Sequence, residues 1–320
     1  MRRRTLLGGT LAAALAGCTS AAADADLRIM VPNPPGSGYD VTARVLAAAL
    51  ASSGIARGVE VFNLPGASGV VGLRRLVYER GNERLLMLMG LGLVGAQITA
   101  DAQVRLRDTT PVARLVQEPA VLVVERGSPY GSLDQLISGW RADPGGVTIG
   151  GGSLAGGPDH LATMLLADAV GLPPAGVVYD RHDGGGDLLA AILGKRVDFA
   201  MSGLSEYADQ IESGQLRALA VTSEAPVPQL PAPTVRDAGF DVVFNNWRGL
   251  VAPPGLAGEG RALLLEMLGE LAVSTAWTAA RERFGWTAAY LDGPDFDRFM
   301  AAEDARVSKV LDGLGLAPTR

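Results

Sequence analysis

Short apolar runs alternate along the chain with glycine-rich turns and with segments whose apolar residues recur at helical spacing. Leu27–Val31 is an apolar run that leads into a turn rich in proline and glycine, and an amphipathic segment follows at about 40–50. The same order recurs at 59–79, where four apolar residues fall on one helical face. Apolar runs of this length, bounded by turn residues, are typical of buried strands. The pattern therefore predicts repeated strand–turn–helix units.

A second set of such units follows after residue 125. Its predicted strands are 147–149, 176–179 and 197–201, and its predicted helices are 159–170 and 187–193. Because alternating strands and helices favour parallel pairing, we predict an α/β fold with mainly parallel sheets in two similar halves. Ligands of such sheets bind at the carboxyl ends of the strands, so the glycine turns of both halves should face one cleft. The chain beyond 252 is predicted to be helical.

The N-terminus has the three parts of a bacterial secretion signal. Three arginines precede the uncharged apolar stretch Leu6–Ala16, which is too short to span a bilayer. Leu-Ala-Gly-Cys at 15–18 resembles a lipobox, so we predict a signal peptide at 1–17, lipidation of Cys18 and a polar tether at 18–26. Alternatively, Cys18 is an incidental small residue before an ordinary signal-peptide cleavage site. The arginines leave both Sec and twin-arginine export open.

Composition and charge narrow the function classes. The net charge is −6, and no basic run follows the first four residues, so nucleic-acid binding is not expected. One cysteine and two histidines disfavour a metal site, and no cofactor is predicted. The protein is expected to act as a monomer outside the cytoplasmic membrane.

The four glycine turns are candidate anion sites. Each turn leaves unpaired N–H groups at a helix N-terminus, where the helix dipole favours negative charge. Ser37, Ser68 and Ser153 add hydroxyl donors. A single turn of this kind is more often an N-cap and a chain reversal, but four turns in matching positions favour a ligand site. Asp40 and Asp187 are expected to cap their own helices.

Two catalytic alternatives have weaker support. Gly90–Gly95 fits GxGxxG, but no acidic residue ends a strand about twenty residues later, as a dinucleotide site requires. Ser153 nearly fits a nucleophile elbow and makes a secreted serine hydrolase the rival function, with His160 or His182 as the base. His182 is otherwise a pocket donor or a solvated loop residue. Trp247 either walls the cleft or fills the core between the halves.

Seven motifs, in order along the chain, resemble one family. VPNPPGSGYDVTAR at 31–44 is similar to VPFPPGGxxDxxAR, and NLPGASGVVG at 63–72 is similar to NRPGAGGxxG. Five further motifs follow between 150 and 255. The chain resembles the Bug-type receptors, the extracytoplasmic solute-binding components of tripartite tricarboxylate transporters. The resemblance implies a two-domain, periplasmic-binding-protein-like fold that closes on a small organic carboxylate and delivers it to membrane permease subunits.

The resemblance also implies ligand-binding residues and domain boundaries. Domain 1 is expected at 27–122 and 249–320, and domain 2 at 123–248. The residues implied on the two walls of the cleft are Ser37, Gly38, Tyr39, Ala67, Ser68 and Gly69 on one side and Gly152, Ser153, Tyr179, Gly184, Ser202 and Thr222 on the other. Asn33, which replaces a frequent aromatic residue of the family, His182 and Trp247 complete the candidates. Because this chain departs from the family pattern in the pocket, the resemblance does not name the substrate. A receptor that feeds a signalling sensor stays open.

Overall fold

The computed structural model describes residues 23–24, 27–228 and 230–317 of the chain. The predicted signal peptide, Cys18 and most of the predicted tether lie outside the described residues. In the described part, no single helix is both long and apolar enough to cross a membrane. Two consecutive helices, Gly258–Ala272 and Thr275–Arg283, reach that length and apolarity only together, and they meet at a bend of 65°.

Ten of the described strands form one mixed sheet, and a separate short pair lies beside it. The strands are β1 Ala23–Asp24, β2 Arg28–Val31, β3 Ala56–Arg57, β4 Glu60–Asn63, β5 Leu85–Gly90, β6 Thr110–Glu125, β7 Thr148–Gly151, β8 Val178–Arg181, β9 Phe199–Gly203, β10 Leu216–Val221, β11 Asn245–Ala252 and β12 Thr287–Asp292. The helices are α1 Gly38–Ser52, α2 Val70–Tyr78, α3 Leu91–Thr99, α4 Leu133–Ala142, α5 Pro158–Ala169, α6 Gly185–Leu193, α7 Leu204–Glu212, α8 Gly258–Ala272, α9 Thr275–Arg283 and α10 Gly293–Gly313.

The long strand β6 joins the two halves of the sheet. Its residues 110–119 pair with β11 and β12, and its residues 120–125 pair with β9 and β10. We therefore define the first half as residues 27–119 and 245–317, and the second half as the described residues from 120 to 244. Both β6 and β11 run antiparallel to their neighbours, which makes the sheet mixed.

The two halves repeat one topology, as the sequence predicts. The first half orders its parallel strands β4-β2-β5, and the second orders its parallel strands β8-β7-β9. In each half the first strand of the unit lies in the middle, and each strand is followed by a helix, which β5 and β9 enter directly and the other strands reach through a turn. In the ten-stranded sheet, the strands of these two groups pair in parallel, as predicted, whereas the pairs that β6 and β11 form are antiparallel, so the sheet is mixed.

The halves share a hydrophobic core. Side chains of β2 alternate between two clusters, because successive residues of a strand face opposite sides of a sheet. Ile29 packs with α1 and α8 on one face, and Met30 faces the other cluster together with residues of α3 and α10. That second cluster continues into the second half, where Trp140 and Leu161 belong to it. A third cluster lies under α6 and α7.

Three elements differ from the sequence prediction. The chain beyond 252 is not wholly helical, because a strand, β12, lies between α9 and α10 and pairs with β6. The segment Gly90–Gly95 enters helix α3 at once. The strand β6 extends over 16 residues, a length that the sequence analysis did not predict. None of the three shows a clear hydrophobic period in the sequence, because α3 and β6 are buried on most sides and β12 is half-exposed.

Helix α3 approaches the second half so closely that a glycine is required. A Cβ atom on Gly95 would overlap the carbonyl oxygen of Gly156, in the turn before α5. We expect Gly95→Ala to lower the free energy of unfolding by about 1–3 kcal/mol. Gly269→Ala in α8 is the matched control, because its Cβ would meet only the Tyr290 hydroxyl at 3.6 Å and alanine favours a helix. Thermal melting compares the two variants, and equal melting temperatures would contradict the expectation.

Candidate ligand-binding cleft

A cleft of about 2190 Å³ lies between the two halves. One wall carries the turn at 33–38 and the start of α1, and the other carries Gly152, the turn at 181–186 and the first residues of α7. The segment 281–287 and the proline-rich segment beyond Ser223 form its rim. The predicted site residues that line the cleft are Asn33, Ser37, Gly38, Gly152, His182 and Gly184.

The N-terminus of α1 opens onto this cleft. Ser37 is the N-cap, and its Oγ accepts a hydrogen bond from the Asp40 amide at 3.3 Å. The Asp40 carboxylate accepts a bond from the Gly36 amide at 2.9 Å and pairs with Arg44, and this arginine is the main cause that lowers the pKa of Asp40 to about 2. Asp40 is thus a cap, as predicted. The amides of Gly38 and Tyr39, the first two helical residues, have no intrahelical acceptor and are available to an anion.

The N-terminus of α5 repeats this arrangement without the arginine. Ser153 Oγ accepts from the Asp159 amide at 3.1 Å, and the Asp159 carboxylate accepts from the Gly152 amide at 2.7 Å. Ser202 Oγ donates to the same carboxylate at 2.9 Å. Burial raises the pKa of Asp159 to about 6. The Tyr179 hydroxyl donates to the Ser153 carbonyl at 3.0 Å, so this tyrosine braces the turn.

The turn before α6 holds a histidine between two carboxylates. His182 Nδ1 lies 3.1 Å from Asp187 Oδ2, and its Nε2 lies 3.1 Å from Asp180 Oδ2. The bond from His182 lowers the pKa of Asp187. Asp187 also accepts from the Asp183 amide at 3.4 Å and so caps α6, as predicted. His182 is buried and lines the cleft, which places it in the pocket and not in a solvated loop.

A buried ion pair lies where the two halves meet. Arg248 of β11 pairs with Glu118 of β6 at 2.5 Å, and both side chains are almost fully buried. Glu118 also accepts a short bond from the Ser205 hydroxyl, and Arg248 Nη1 donates to Thr42 Oγ1 at 3.3 Å. Arg248 lines the cleft beside Gly38. Sequence reasoning missed both residues, although a charge within an apolar strand is the signal that marks each of them.

The turn at 66–69 is left-handed throughout. Gly66, Ala67, Ser68 and Gly69 all have positive φ, and Ala67 and Ser68 carry side chains in this sparsely populated region. Such strained turns form amide concavities that attract anions. The turn at 66–69 packs beside Pro32, which directly precedes the turn at 33–38, but it does not line the cleft. Its predicted ligand contact stays a prediction.

Several other predicted site residues form hydrogen bonds inside the protein. The Tyr39 hydroxyl accepts from the Leu93 amide at 3.3 Å, and the buried Thr222 hydroxyl donates to the Phe244 carbonyl at 2.7 Å. Trp247 is 1% exposed, donates to Glu303 and stacks edge-on against Phe299. It fills the core, which is the second of the two roles considered for it. The structure does not bring Tyr39, Ala67, Ser68, Gly69, Ser153, Tyr179, Ser202, Thr222 or Trp247 to the cleft lining.

The geometry accounts for both catalytic motifs without catalysis. A Cβ on Gly90 would overlap the Trp247 carbonyl, so the GxGxxG glycines serve close packing at the start of α3. Ser153 Oγ accepts helix amides, and His160 Nδ1 accepts from the Gly156 amide at 3.2 Å. Each of these polar atoms thus accepts a hydrogen bond from a backbone amide. Neither motif builds a nucleophile and base pair.

Comparison with known proteins decides the family. Residues 42–316 match the model of the tripartite tricarboxylate transporter family receptor. The chain belongs to this family. Protein BugT of Bordetella pertussis is 31% identical over 296 residues, which cover 90% of this chain and 89% of BugT. A UPF0065 protein of Pseudomonas sp. strain P51, from a tcbD-tcbE intergenic region, is 30% identical over 79% of this chain and 77% of its own length.

Solved structures of tripartite tricarboxylate receptors have the same fold. R. palustris Rpa4515 with adipate is 25% identical, with a TM-score of 0.79, and the match covers 92% of this chain and 98% of that one. MatC of Rhodopseudomonas palustris with bound malate is 21% identical, with a TM-score of 0.74 over 89% of this chain and 98% of MatC. The predicted periplasmic-binding-protein fold is therefore confirmed. Receptors of this family bind solutes and are not enzymes, which removes the hydrolase alternative.

Proposed function

We propose that this receptor captures a small organic carboxylate outside the cytoplasmic membrane and delivers it to the membrane subunits of a tripartite tricarboxylate-type transporter. The observation that carries the proposal is the open N-terminus of α1 on the cleft, with the Arg248 guanidinium beside Gly38. A helix N-terminus and an arginine both attract a carboxylate. The family match and the adipate and malate in related structures support the same class of ligand.

Closure of two domains on the ligand is part of this proposal. We place domain 1 at 27–122 and 249–320 and domain 2 at 123–248, with hinges in β6 and β11. The change of β6 partners after residue 119 supports a division at this strand. One chain contributes both walls of the cleft, which is consistent with a receptor that acts as a monomer.

Binding is tested by thermal melting of the mature protein with organic acids. The panel contains dicarboxylates, tricarboxylates, aromatic acids and amino acids. An acid at about 100 times its Kd stabilises the folded state by about 2.7 kcal/mol, so at least one member should raise the melting temperature by several degrees. No shift with any member, at millimolar concentration, would contradict the proposed carboxylate receptor.

We further propose that Cys18 anchors the receptor as a lipoprotein. Support comes from the sequence alone, in the Leu-Ala-Gly-Cys ending after an apolar stretch. Cys18→Ser is expected to release the protein from the membrane fraction and to abolish labelling with a radioactive fatty acid. Ser20→Ala in the tether is the control and should stay labelled. A labelled Cys18→Ser protein, or an unlabelled natural one, would refute the anchor.

The signalling alternative uses the same cleft and differs only in the partner. Deletion of the gene is expected to abolish uptake of the bound acid by cells, and the natural gene should restore it. Unchanged uptake, together with loss of a transcriptional response to the acid, would instead establish a receptor that feeds a sensor. Neighbouring genes for membrane transport subunits would favour delivery to a permease.

A further inference from the structure

The two walls of the cleft carry opposite charge. On the first half, the charged residues that line the cleft are Arg248, Arg281, Glu282 and Arg283. On the second half, they are Arg181, Asp183, Glu206, Asp209, Glu212 and Glu224. A wall that is mainly basic thus faces a wall that is mainly acidic. A ligand with carboxylates at both ends would place one of them against the acidic wall.

The chain's own carboxyl groups cover the helix N-termini of the acidic wall. The Asp159 carboxylate accepts a hydrogen bond from the Gly152 amide at 2.7 Å. Glu206, in the first turn of α7, lies over Gly185 at the start of α6, where a Cβ atom would overlap Glu206 Oε2. These two N-termini are the positions that the sequence assigns to anion binding in the second half. The structure fills both with carboxyl side chains of the chain itself, so the expected second anion site is closed.

Neither of these carboxyl groups has a cation of its own. Asp40, the counterpart of Asp159 in the first half, pairs with Arg44 four residues further along α1. The residue four positions after Asp159 is Thr163, whose hydroxyl donates to the Asp159 carbonyl. Within the described ranges, no arginine, lysine or histidine nitrogen forms an ion pair with Asp159 or Glu206. Asp159 and Glu206 therefore lack the paired arginine that Asp40 has in Arg44.

An independent observation points to a ligand at the same place. Arg248 is 6% exposed, lines the cleft, and its Nε has no hydrogen-bond partner in the described structure. A buried guanidinium N–H without an acceptor is costly, and a bound anion beside Gly38 would supply one. Arg248 thus marks the anionic end of a ligand, and Glu206 lies on the opposite wall.

We propose that the ligand is a carboxylate that also carries a protonated amino group, and that Glu206 binds that group. The carboxylate lies at the N-terminus of α1 beside Arg248, and the ammonium lies against Glu206. This inference rests on the proposed carboxylate receptor and adds the second charge of the ligand. It also assigns Glu206 as the residue that selects amino acids and similar zwitterions over acids without nitrogen.

The electrostatics of Glu206 make this binding dependent on pH. Glu206 is an exposed residue of the cleft wall. The surrounding protein, and then the carboxylates of Asp159 on α5 and Glu118 on β6, raise the pKa of Glu206, while Arg248 on β11 and the Ser202 hydroxyl on β9 lower it. The empty receptor therefore holds a proton on Glu206 to a higher pH than usual. An ammonium binds the ionised carboxylate, so its binding releases that proton, and affinity rises with pH until Glu206 is ionised in the free protein.

The test is isothermal titration calorimetry with acids that differ only in the amino group. The pairs are aspartate and succinate, glutamate and glutarate, γ-aminobutyrate and butyrate, and phenylalanine and hydrocinnamate, in buffer with EDTA. In the pairs that bind, we expect the amino member to bind at least about tenfold more tightly. Its affinity should rise between about pH 6 and about pH 8.

Glu206→Gln removes the charge and keeps the shape of the side chain. It should abolish the preference for the amino member and its rise with pH, while the acids without nitrogen bind at least as well as before. Glu266→Gln, on the exposed side of α8 away from the cleft, is the matched control. Binding of both members with equal affinity, or an unchanged preference in Glu206→Gln, overturns the role of Glu206 and leaves the carboxylate receptor in place. Binding of no member overturns both.

Discussion

Replacing Arg248 by methionine is expected to lower the free energy of unfolding by about 3–5 kcal/mol. The substitution leaves the Glu118 carboxylate, which is 1% exposed, without its cation, and the Ser205 hydroxyl is then its hydrogen-bond partner among the described residues. Isolated buried charges are far less stable than pairs, because they lose hydration without a compensating attraction. Chemical denaturation of the variant and the natural protein measures the difference.

A second substitution separates the charge from the packing. Glu118→Gln in the Arg248→Met background removes the unpaired carboxylate and is expected to restore most of the lost stability. Arg298→Met is the matched control, because Arg298 pairs with Asp295 on the surface and both side chains are mostly exposed. That control should cost less than about 1 kcal/mol. An Arg248→Met variant as stable as the control would show that the buried pair does not stabilise the fold.

Gly38→Asp is expected to weaken carboxylate binding by at least about a hundredfold. A Cβ atom on Gly38 would lie 3.2 Å from Arg248 Nη2, so an aspartate there reaches the guanidinium and occupies the place of the ligand carboxylate. The first turn of a helix tolerates an acidic residue, and Gly38 has no positive φ, so the fold should be kept. Calorimetry with the acid that gives the largest thermal shift measures the loss.

Gly258→Asp controls for the added charge. Gly258 is the first residue of α8, as Gly38 is of α1, and a Cβ atom there has open space around it. This variant should bind the acid with the affinity of the natural protein. Undiminished binding by Gly38→Asp, with a normal melting temperature, would move the carboxylate away from the N-terminus of α1.

Much of the fold follows from the local pattern of the sequence. The strand–turn–helix units at 28–52 and 148–169 were predictable, because each couples an apolar run to a turn residue and an amphipathic helix. In the sequence, a serine precedes each of α1 and α5 and an aspartate lies in its first turn, Ser37 with Asp40 and Ser153 with Asp159, although the two spacings differ. What the pattern does not reveal is the pairing between distant segments, which joins β6 to β9, β10, β11 and β12.

The candidate site likewise has residues that could be predicted from the sequence and residues that could not. The local turn predicted Ser37 at the cleft, because a helix start exposes its amides whatever the rest of the fold does, and the family resemblance added Gly38, Gly152 and Gly184. Arg248 and Glu118 lie 130 positions apart, and their contact depends on the register of β6 and β11. The role of Asp159 was not predicted, because its bond with Ser202, 43 positions away, and its lack of a cation depend on its neighbours in space.

Amide hydrogen exchange with and without a bound acid tests the central claim most directly. The acid is the one that most raises the melting temperature. We predict that it slows exchange of the amides at 37–41, at the start of α1, and that Gly38→Asp loses this effect while Gly258→Asp keeps it. Slowed exchange confined to parts of the chain outside the cleft, with the start of α1 unchanged, would contradict the assignment of this helix N-terminus as the carboxylate site.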